Sequence, residues 1–281
     1  MCKPASFVVT KDKVFWSKVS DSHEDIIKEF SLATEVAGKI CIVRCEVTPP
    51  KEGRFDLPSE NWIYKTDQEG GYLPEWFDSE EVEERCRLAL NEWISERVVA
   101  VGRVIQNLEI GLSVFVCGGT VNAVRGGTVN AVWGGTVNEV WGGTVNDVMG
   151  GTVNAVRGGT VNAVWGGTVN AVWDGTVNAV MGGTVNAVWG GTVNAVWVGT
   201  VNAVWGGTVN AVRGGTVNAV WGGTVNEVWG GTVNEVWGGT VQFYVSYSCK
   251  LTGFLAVVIN RVGKKAKCYI GTEKTRTVSG K

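Results

Sequence analysis

The sequence is dominated by an eight-residue unit that repeats without insertion or deletion. Fifteen octads with the consensus Gly-Gly-Thr-Val-Asn-Ala-Val-Trp follow one another over residues 118–237, and a sixteenth copy begins at Gly238 and loses the pattern at Gln242. With so short a fixed period, each unit can bury its apolar side chains only against its neighbours. The array therefore predicts a solenoid.

The composition of the unit predicts one strand and one corner. Thr, Val and Trp favour extended backbone, whereas two adjacent glycines break a helix and permit the positive φ angles of a tight corner. Eight residues are too few to close a coil. A coil therefore needs two octads in a flattened solenoid or three in a triangular one, and we favour two.

Substitutions within the array identify the positions that face solvent, because a charge inside a narrow stacked core would be costly to desolvate. Position six is Ala or an acidic residue, position eight is Trp, Arg or Met, and position one accepts Asp174 and Val198. These three positions are expected outside. The Thr, Val, Asn and Val at positions three, four, five and seven do not vary among the fifteen octads.

Two arrangements of the strand satisfy this pattern. A straight strand would point Thr, Asn and the second Val inward, whereas a bend at Asn would point both valines inward. We favour the bend, because full burial of an additional Val stabilises a fold by roughly 1.5 to 3 kcal/mol. Asn would then form a ladder of side-chain amides from coil to coil.

The array separates two different ends of the chain. Residues 1–107 predict a small α+β domain with strands at 7–10, 14–16, 40–47 and 62–64. One helix is expected after Ser22, and a longer one runs from Asp78 or Ser79 to about residue 97. The buried stripe of the longer helix is predicted to be Val82, Cys86, Ala89, Leu90 and Trp93.

The solenoid is expected to extend over residues 108–245, with the octads at 118–237 and degenerate coils at both ends. The alternation of residues 98–117 predicts the first degenerate coil. Residues 246–281 predict a basic cap, in which 254–260 and 267–270 form a β-hairpin and a solvated tail begins at about Thr272. The predicted fold class is therefore mainly β.

Charge is distributed unevenly along the chain. Residues 1–107 carry 14 basic and 20 acidic side chains, whereas residues 238–281 carry 8 basic and 1 acidic side chain. Nucleic acid is a possible partner of this basic end, and so is the acidic domain of a second copy. The candidate residues there are Lys264, Lys265, Lys267 and Arg276.

The sequence offers little for catalysis. His23 is the only histidine, and we expect it to be a solvated residue at a helix start. Asp67, Glu75 and Asp78 are expected to be loop and cap residues, and no Gly-Lys-Ser/Thr loop follows a glycine pair. We therefore expect a non-enzymatic protein without cofactor or metal. Seven scattered cysteines indicate reduced thiols in a cytoplasm, and neither a signal peptide nor a membrane span is expected.

Three segments of the first domain carry a resemblance to a known group. Asn-Trp-Ile-Tyr-Lys-Thr-Asp-Gln at 61–68, Pro-Glu-Trp-Phe-Asp at 74–78 and Ala-Leu-Asn-Glu-Trp at 89–93 resemble the amino-terminal domain of uncharacterised bacteriophage and prophage proteins. In that group, such a domain precedes short tandem octad-type repeats. The resemblance covers about residues 1–110 and the layout. It implies a phage or prophage setting in a bacterial cytoplasm and supplies no activity.

Position eight is the predicted binding surface. Its aromatic residues should form rows at about the 4.8 Å spacing of stacked strands. Trp usually lies inside a protein, but Arg in the same register argues for an external row in which guanidinium groups stack on neighbouring indoles. The predicted ladder consists of Trp133, Trp141, Trp165, Trp173, Trp189, Trp197, Trp205, Trp221, Trp229, Trp237, Arg125, Arg157 and Arg213.

These features favour a structural or interaction protein whose rigid solenoid presents Trp ladders for self-association or for a protein partner. Three alternatives remain open. The solenoid would act as a nucleic-acid mimic that inhibits a host enzyme, or its Thr and Trp lattice would bind ice or carbohydrate. An enzyme within residues 1–107 is the third.

Overall fold

In this computed structural model, residues 4–51, 53–55, 57–263 and 265–280 are described. The first domain contains an antiparallel sheet in the order β2-β1-β5-β6, a separate β3-β4 ribbon and two helices. Its elements are β1 (Ser6–Thr10), β2 (Val14–Phe15), α1 (His23–Glu29), β3 (Glu35–Val36), β4 (Lys39–Ile40), β5 (Ile42–Thr48), a 3-10 turn (Ser59–Asn61), β6 (Ile63–Thr66), a second 3-10 turn (Glu69–Gly71) and α2 (Ser79–Arg97).

Both helices begin at the predicted caps. The side chain of Ser22 accepts a hydrogen bond from the Asp25 amide, and that of Asp78 accepts from the Glu80 and Glu81 amides. These bonds satisfy amides that have no partner within the helix. The predicted stripe of α2 packs into the core of the domain, with Val82, Cys86, Leu90 and Trp93 buried and Ala89 partly buried.

The octads, together with the less regular coils at both ends, form a β-solenoid of about ten turns. Its strands begin with β7 (Val98–Val99), β8 (Val104–Leu108), β9 (Ser113–Val124) and β10 (Thr128–Val140). One strand per octad follows, namely β11 (Thr144–Val148), β12 (Thr152–Val156), β13 (Thr160–Val164), β14 (Thr168–Val172), β15 (Thr176–Val180), β16 (Thr184–Val188), β17 (Thr192–Val196), β18 (Thr200–Val204), β19 (Thr208–Val212), β20 (Thr216–Val220), β21 (Thr224–Val228) and β22 (Thr232–Val236).

The register confirms two octads per turn. Thr184 of β16 pairs in parallel with Thr200 of β18, and Val188 pairs with Val204, so equivalent residues are 16 apart. The same register holds from β10 to β22. Consecutive octads therefore lie on opposite faces of a flattened solenoid, and every second octad stacks on the same face.

The strand bends at Asn, as the favoured prediction requires. Val185 and Val188, at positions four and seven, are both completely buried, and the equivalent valines form one continuous core along the solenoid. Because these positions are three residues apart, a straight strand would place them on opposite sides of the sheet. The bend is what doubles the number of valines in the core.

The predicted amide ladder is present at the bend. Nδ2 of Asn186 donates to Oδ1 of Asn170, and Nδ2 of Asn202 donates to Oδ1 of Asn186, both at 2.8 Å. On this face the ladder runs from Asn234 to Asn122 and ends at Oε1 of Gln106. Each internal Asn thus donates to one coil and accepts from the next.

The expected role of the paired glycines is wrong for most octads. Positive φ angles within the fifteen octads occur at Gly118, Gly135 and Gly231. At position two, a Cβ on Gly191 would lie 2.4 Å from the Gly175 carbonyl oxygen and 2.6 Å from Cγ1 of Val172. Glycine is therefore needed there because successive coils approach closely.

Both ends of the stack are covered. At the start, β7 and β8 pair in parallel with β9, so residues 98–117 form the predicted first coil. At the far end the strands are β23 (Gly239–Phe243), β24 (Tyr247–Leu251), β25 (Ala256–Asn260), β26 (Lys267–Ile270) and β27 (Arg276–Gly280). The predicted hairpin is present as β25 and β26, which pair antiparallel.

The predicted solvated tail after Thr272 is wrong. β27 pairs antiparallel with β24, and its Val278, opposite Cys249, is buried. The last coil therefore carries one antiparallel strand on each side, β26 on β25 and β27 on β24. Such pairing occupies edges that would otherwise remain open.

The first domain and the solenoid share one core. Phe115 and Ala131 of the first coils pack with the apolar residues of α2 and the sheet. Arg97, at the end of α2, is buried at this junction, where Nη1 lies 2.9 Å from Oδ1 of Asp21 and Nε donates to the Ser113 carbonyl at 3.1 Å. Burial lowers the pKa of Arg97 and raises that of Asp21, and their mutual attraction opposes both shifts.

Candidate functional site

The position-eight residues form two columns on opposite faces of the solenoid, because consecutive octads alternate between faces. We call the face that carries residue 125 face A and the other face B. The face A column is Arg125, Trp141, Arg157, Trp173, Trp189, Trp205, Trp221 and Trp237. The face B column is Trp133, Met149, Trp165, Met181, Trp197, Arg213 and Trp229.

Face A contains an uninterrupted stack of five indoles, from Trp173 to Trp237. Neighbouring ring centroids are 5.1 to 5.3 Å apart, with interplanar angles of 8° to 12°. Each internal ring is therefore covered on both faces by its neighbours. The stack presents ring edges to solvent.

Arg157 extends this column toward its start by stacking, as predicted. Its guanidinium carbon lies 5.1 Å from the Trp141 ring centroid and 6.0 Å from that of Trp173. Nε of Arg157 also lies 2.9 Å from Oε1 of Glu139, whose Oε2 accepts from the Trp141 indole N–H. Arg125, in contrast, donates to Oδ1 of Asn107 at 2.8 Å.

Face B is less regular. Arg213 lies 5.0 Å above the Trp197 ring, and Trp229 stacks on Tyr244 at 4.4 Å. The two methionines interrupt the aromatic column. The face B side chains therefore form short clusters instead of one long stack.

Trp133 is not part of the exposed ladder, so its predicted surface position is wrong. It is half-buried against the first domain, and a Cβ on Gly53 would lie 2.4 Å from its Cδ2. The other nine tryptophans at position eight are 37% to 48% exposed. The sequence of an octad carries no information about which copy the first domain covers.

The acidic residues at position six have a second role, as acceptors for the indole N–H groups. The indole N–H of Trp229 donates to Glu227 at 2.7 Å, and that of Trp237 donates to Glu235 at 3.1 Å. The sequence feature that could have indicated this hydrogen bond is an acidic residue two positions before Trp. In the described part of the chain, the four face A indoles from Trp173 to Trp221 have no such acid and donate to no protein acceptor.

The predicted basic residues lie on the carboxy-terminal cap, where the described ones are exposed. Lys265 precedes β26, Lys267 begins β26 and Arg276 begins β27, where its Nη2 donates to the Ile270 carbonyl at 2.6 Å. Lys264 lies outside the described residues. Because the end of the chain forms β27, Arg276 is held next to the hairpin of β25 and β26.

In the first domain, the predicted exposure of His23 is wrong. The side chain is buried, with Nε2 3.1 Å from the Cys45 carbonyl oxygen and Nδ1 3.8 Å from Oδ2 of Asp67. It is drawn inward because the start of α1 packs against β1 and the sheet. Asp67 also pairs with Lys65 at 2.9 Å.

The two other acidic residues considered as catalytic candidates, Glu75 and Asp78, have separate structural partners. Glu75 pairs with Lys39 at 2.9 Å, and Asp78 caps α2.

Neither helix in the described part of the chain has the length and apolar character needed to cross a bilayer. Comparison of the chain with protein-family models, curated proteins and solved structures found no match.

Proposed function

We propose that this is a non-enzymatic structural or interaction protein whose solenoid presents Trp ladders for self-association or for binding a protein partner. The supporting observation is the five-indole stack on face A. The four face A octads that end at Trp173, Trp189, Trp205 and Trp221 contain no charged residue. A contiguous exposed apolar surface of this kind marks an interaction site.

The chemistry of the stack indicates what it would bind. Aromatic rings are electronegative at their faces and electropositive at their edges. Since the stacked rings expose edges and unpaired N–H groups, a partner should offer apolar side chains together with hydrogen-bond acceptors. Protein surfaces combine both.

The alternative functions have less support. Carbohydrate binding by stacking needs open ring faces, which neighbouring indoles cover within the stack. An ice-binding lattice needs exposed threonines, whereas Thr184 and its equivalents are half-buried in most octads. A nucleic-acid mimic needs a row of free acids, but Glu139 pairs with Arg157 and Glu235 pairs with Lys250.

The experiment that tests the proposal compares association of the wild-type chain with that of Trp→Arg variants in each column. We expect acrylamide to quench the indoles of isolated chains and association to protect them. Trp189→Arg, which copies a residue that the array already accepts, should abolish association without changing the circular dichroism spectrum. Equal association of the wild type and of both column variants would contradict the proposal.

A phage or prophage setting, and with it a bacterial cytoplasm, belongs to the same proposal and depends on the resemblance of residues 61–68, 74–78 and 89–93. Location of the coding sequence outside any phage or prophage would count against it.

Nucleic acid is a second candidate partner, for the cap alone, because Lys267 and Arg276 are exposed on its two antiparallel strands, β26 and β27.

A further inference from the structure

We propose that face A is the interface of a homodimer, in which two solenoids lie antiparallel with their position-eight columns in contact. This inference rests on the proposed function and names its partner as a second copy of this chain. The two-fold axis would run parallel to the strands, so that position eight of one copy meets position eight of the other.

Face A carries a surface that repeats at a regular interval along the solenoid. The rings of the stack follow one another at 5.1 to 5.3 Å in nearly parallel planes. A partner that contacts the whole row must present side chains at the same interval. A second copy meets this condition along its full length, because its column has the same spacing.

Face A is also the more accessible face of the solenoid. The first domain packs on face B, where Phe115, Ala131 and Trp133 belong to its core or contact it. A second solenoid cannot lie along the whole of face B without meeting that domain. Among the described residues, no member of the face A column packs into the core of the first domain.

The distribution of charge along face A favours the antiparallel arrangement. Full overlap of the eight coils places Arg125 of each copy opposite Trp237 and the neighbouring Glu235 of the other, whose Oε1 also accepts from Lys250 at 2.9 Å. Arg125 is exposed, donates to a neutral amide and forms no ion pair with any described residue. The same register places Trp173 opposite Trp189 at the centre. Parallel solenoids would instead bring both Arg125 side chains to the same end.

The area is close to what a stable interface needs. Eight coils at about 4.8 Å, crossed by strands of five residues at about 3.3 Å each, outline roughly 630 Å² per copy. Standard interfaces bury about 800 Å² per partner. The projecting indoles add surface to this flat outline.

Octad deletions test the proposal with the full folded chain. Removing residues 182–197, one whole coil, keeps Arg125 and Glu235 on the same face and leaves four stacked indoles. Removing residues 182–189 shifts all later octads by half a turn, which transfers Glu235 to face B and divides the stack. We expect sedimentation equilibrium to show dimers for the wild type and the two-octad deletion, and monomers for the one-octad deletion.

Point variants locate the interface. Trp189→Arg on face A should raise the dimer dissociation constant at least ten-fold, whereas the matched face B variant Trp197→Arg should leave it unchanged. Arg125→Glu should also weaken the dimer, and Arg125→Glu combined with Glu235→Arg should restore it. Circular dichroism of each variant verifies that the solenoid is folded.

The outcomes separate this inference from the proposed function. A wild-type chain that stays monomeric up to high micromolar concentration overturns the homodimer, and Trp189-dependent binding of another protein would then leave the proposed function standing. A dimer that Trp197→Arg disrupts and Trp189→Arg does not also overturns the use of face A. A dimer that tolerates both substitutions and both deletions overturns the inference and removes the support for the ladder function.

Discussion

Replacing Asn186 by alanine tests whether the amide ladder stabilises the solenoid. The substitution removes the hydrogen bond that Asn186 donates to Asn170 and the one that it accepts from Asn202, both 2.8 Å long. A hydrogen bond contributes about 0.5 to 1.5 kcal/mol net, so Asn186→Ala should lower the free energy of unfolding by about 1 to 3 kcal/mol.

Asn234 provides the matched control at the end of the same ladder. It donates to Asn218 at 2.8 Å, and its side chain is exposed, so Asn234→Ala should cost at most half as much as Asn186→Ala. Urea unfolding followed by far-UV circular dichroism would measure both, with unchanged m-values as the condition for comparing them. Equal losses for the two variants, or no loss for Asn186→Ala, would refute the role of the ladder.

Three further predictions concern other parts of the fold. Gly191→Ala should lower the free energy of unfolding by about 1 to 3 kcal/mol through overpacking, whereas Val198→Gly should change it by less than about 0.5 kcal/mol. Thermal or urea unfolding measures both variants. Equal effects would contradict the conclusion that glycine is needed at position two because successive coils approach closely. Arg97→Met should lower the free energy of unfolding by about 3 to 5 kcal/mol, because it leaves the buried carboxylate of Asp21 unpaired. Adding Asp21→Asn should recover part of that loss in the same measurement. If the cap binds nucleic acid, a fluorescent oligonucleotide should bind more weakly at high salt and more weakly to Lys267→Glu, and binding that is insensitive to both would exclude the cap.

The sequence was sufficient for features that depend on one octad and its copies. The period predicted strand and corner, the charges at positions one, six and eight predicted the outer side, and the value of burying a second Val predicted the bend at Asn. Each of these follows from local chemistry repeated fifteen times. The register of 16 residues then confirmed the preferred two octads per turn.

The sequence was insufficient where distant segments meet. Burial of Arg97 depends on Ser113 and Asp21, and partial burial of Trp133 depends on Gly53, none of which belongs to an octad. The strand at the end of the chain was missed because its polar sequence resembles a solvated tail, and its pairing with β24 is visible only in three dimensions. Tertiary contacts overrode local composition at each of these places.

Near-identical octads do not by themselves specify one stacking register, and the two ends of the chain supply that specification. Within the array, a shift by one octad replaces every contact with a nearly equivalent one, so the valine core and the Asn ladder do not select one register by themselves. The junction at Arg97 fixes which octad starts on face A, and β26 and β27 fix where stacking stops. Between those ends, the number of octads decides which position-eight residues share a face. Gain or loss of octads in pairs preserves the existing columns, whereas a single octad exchanges the faces of everything that follows. The composition of the ladder is therefore a property of octad number as well as of octad sequence.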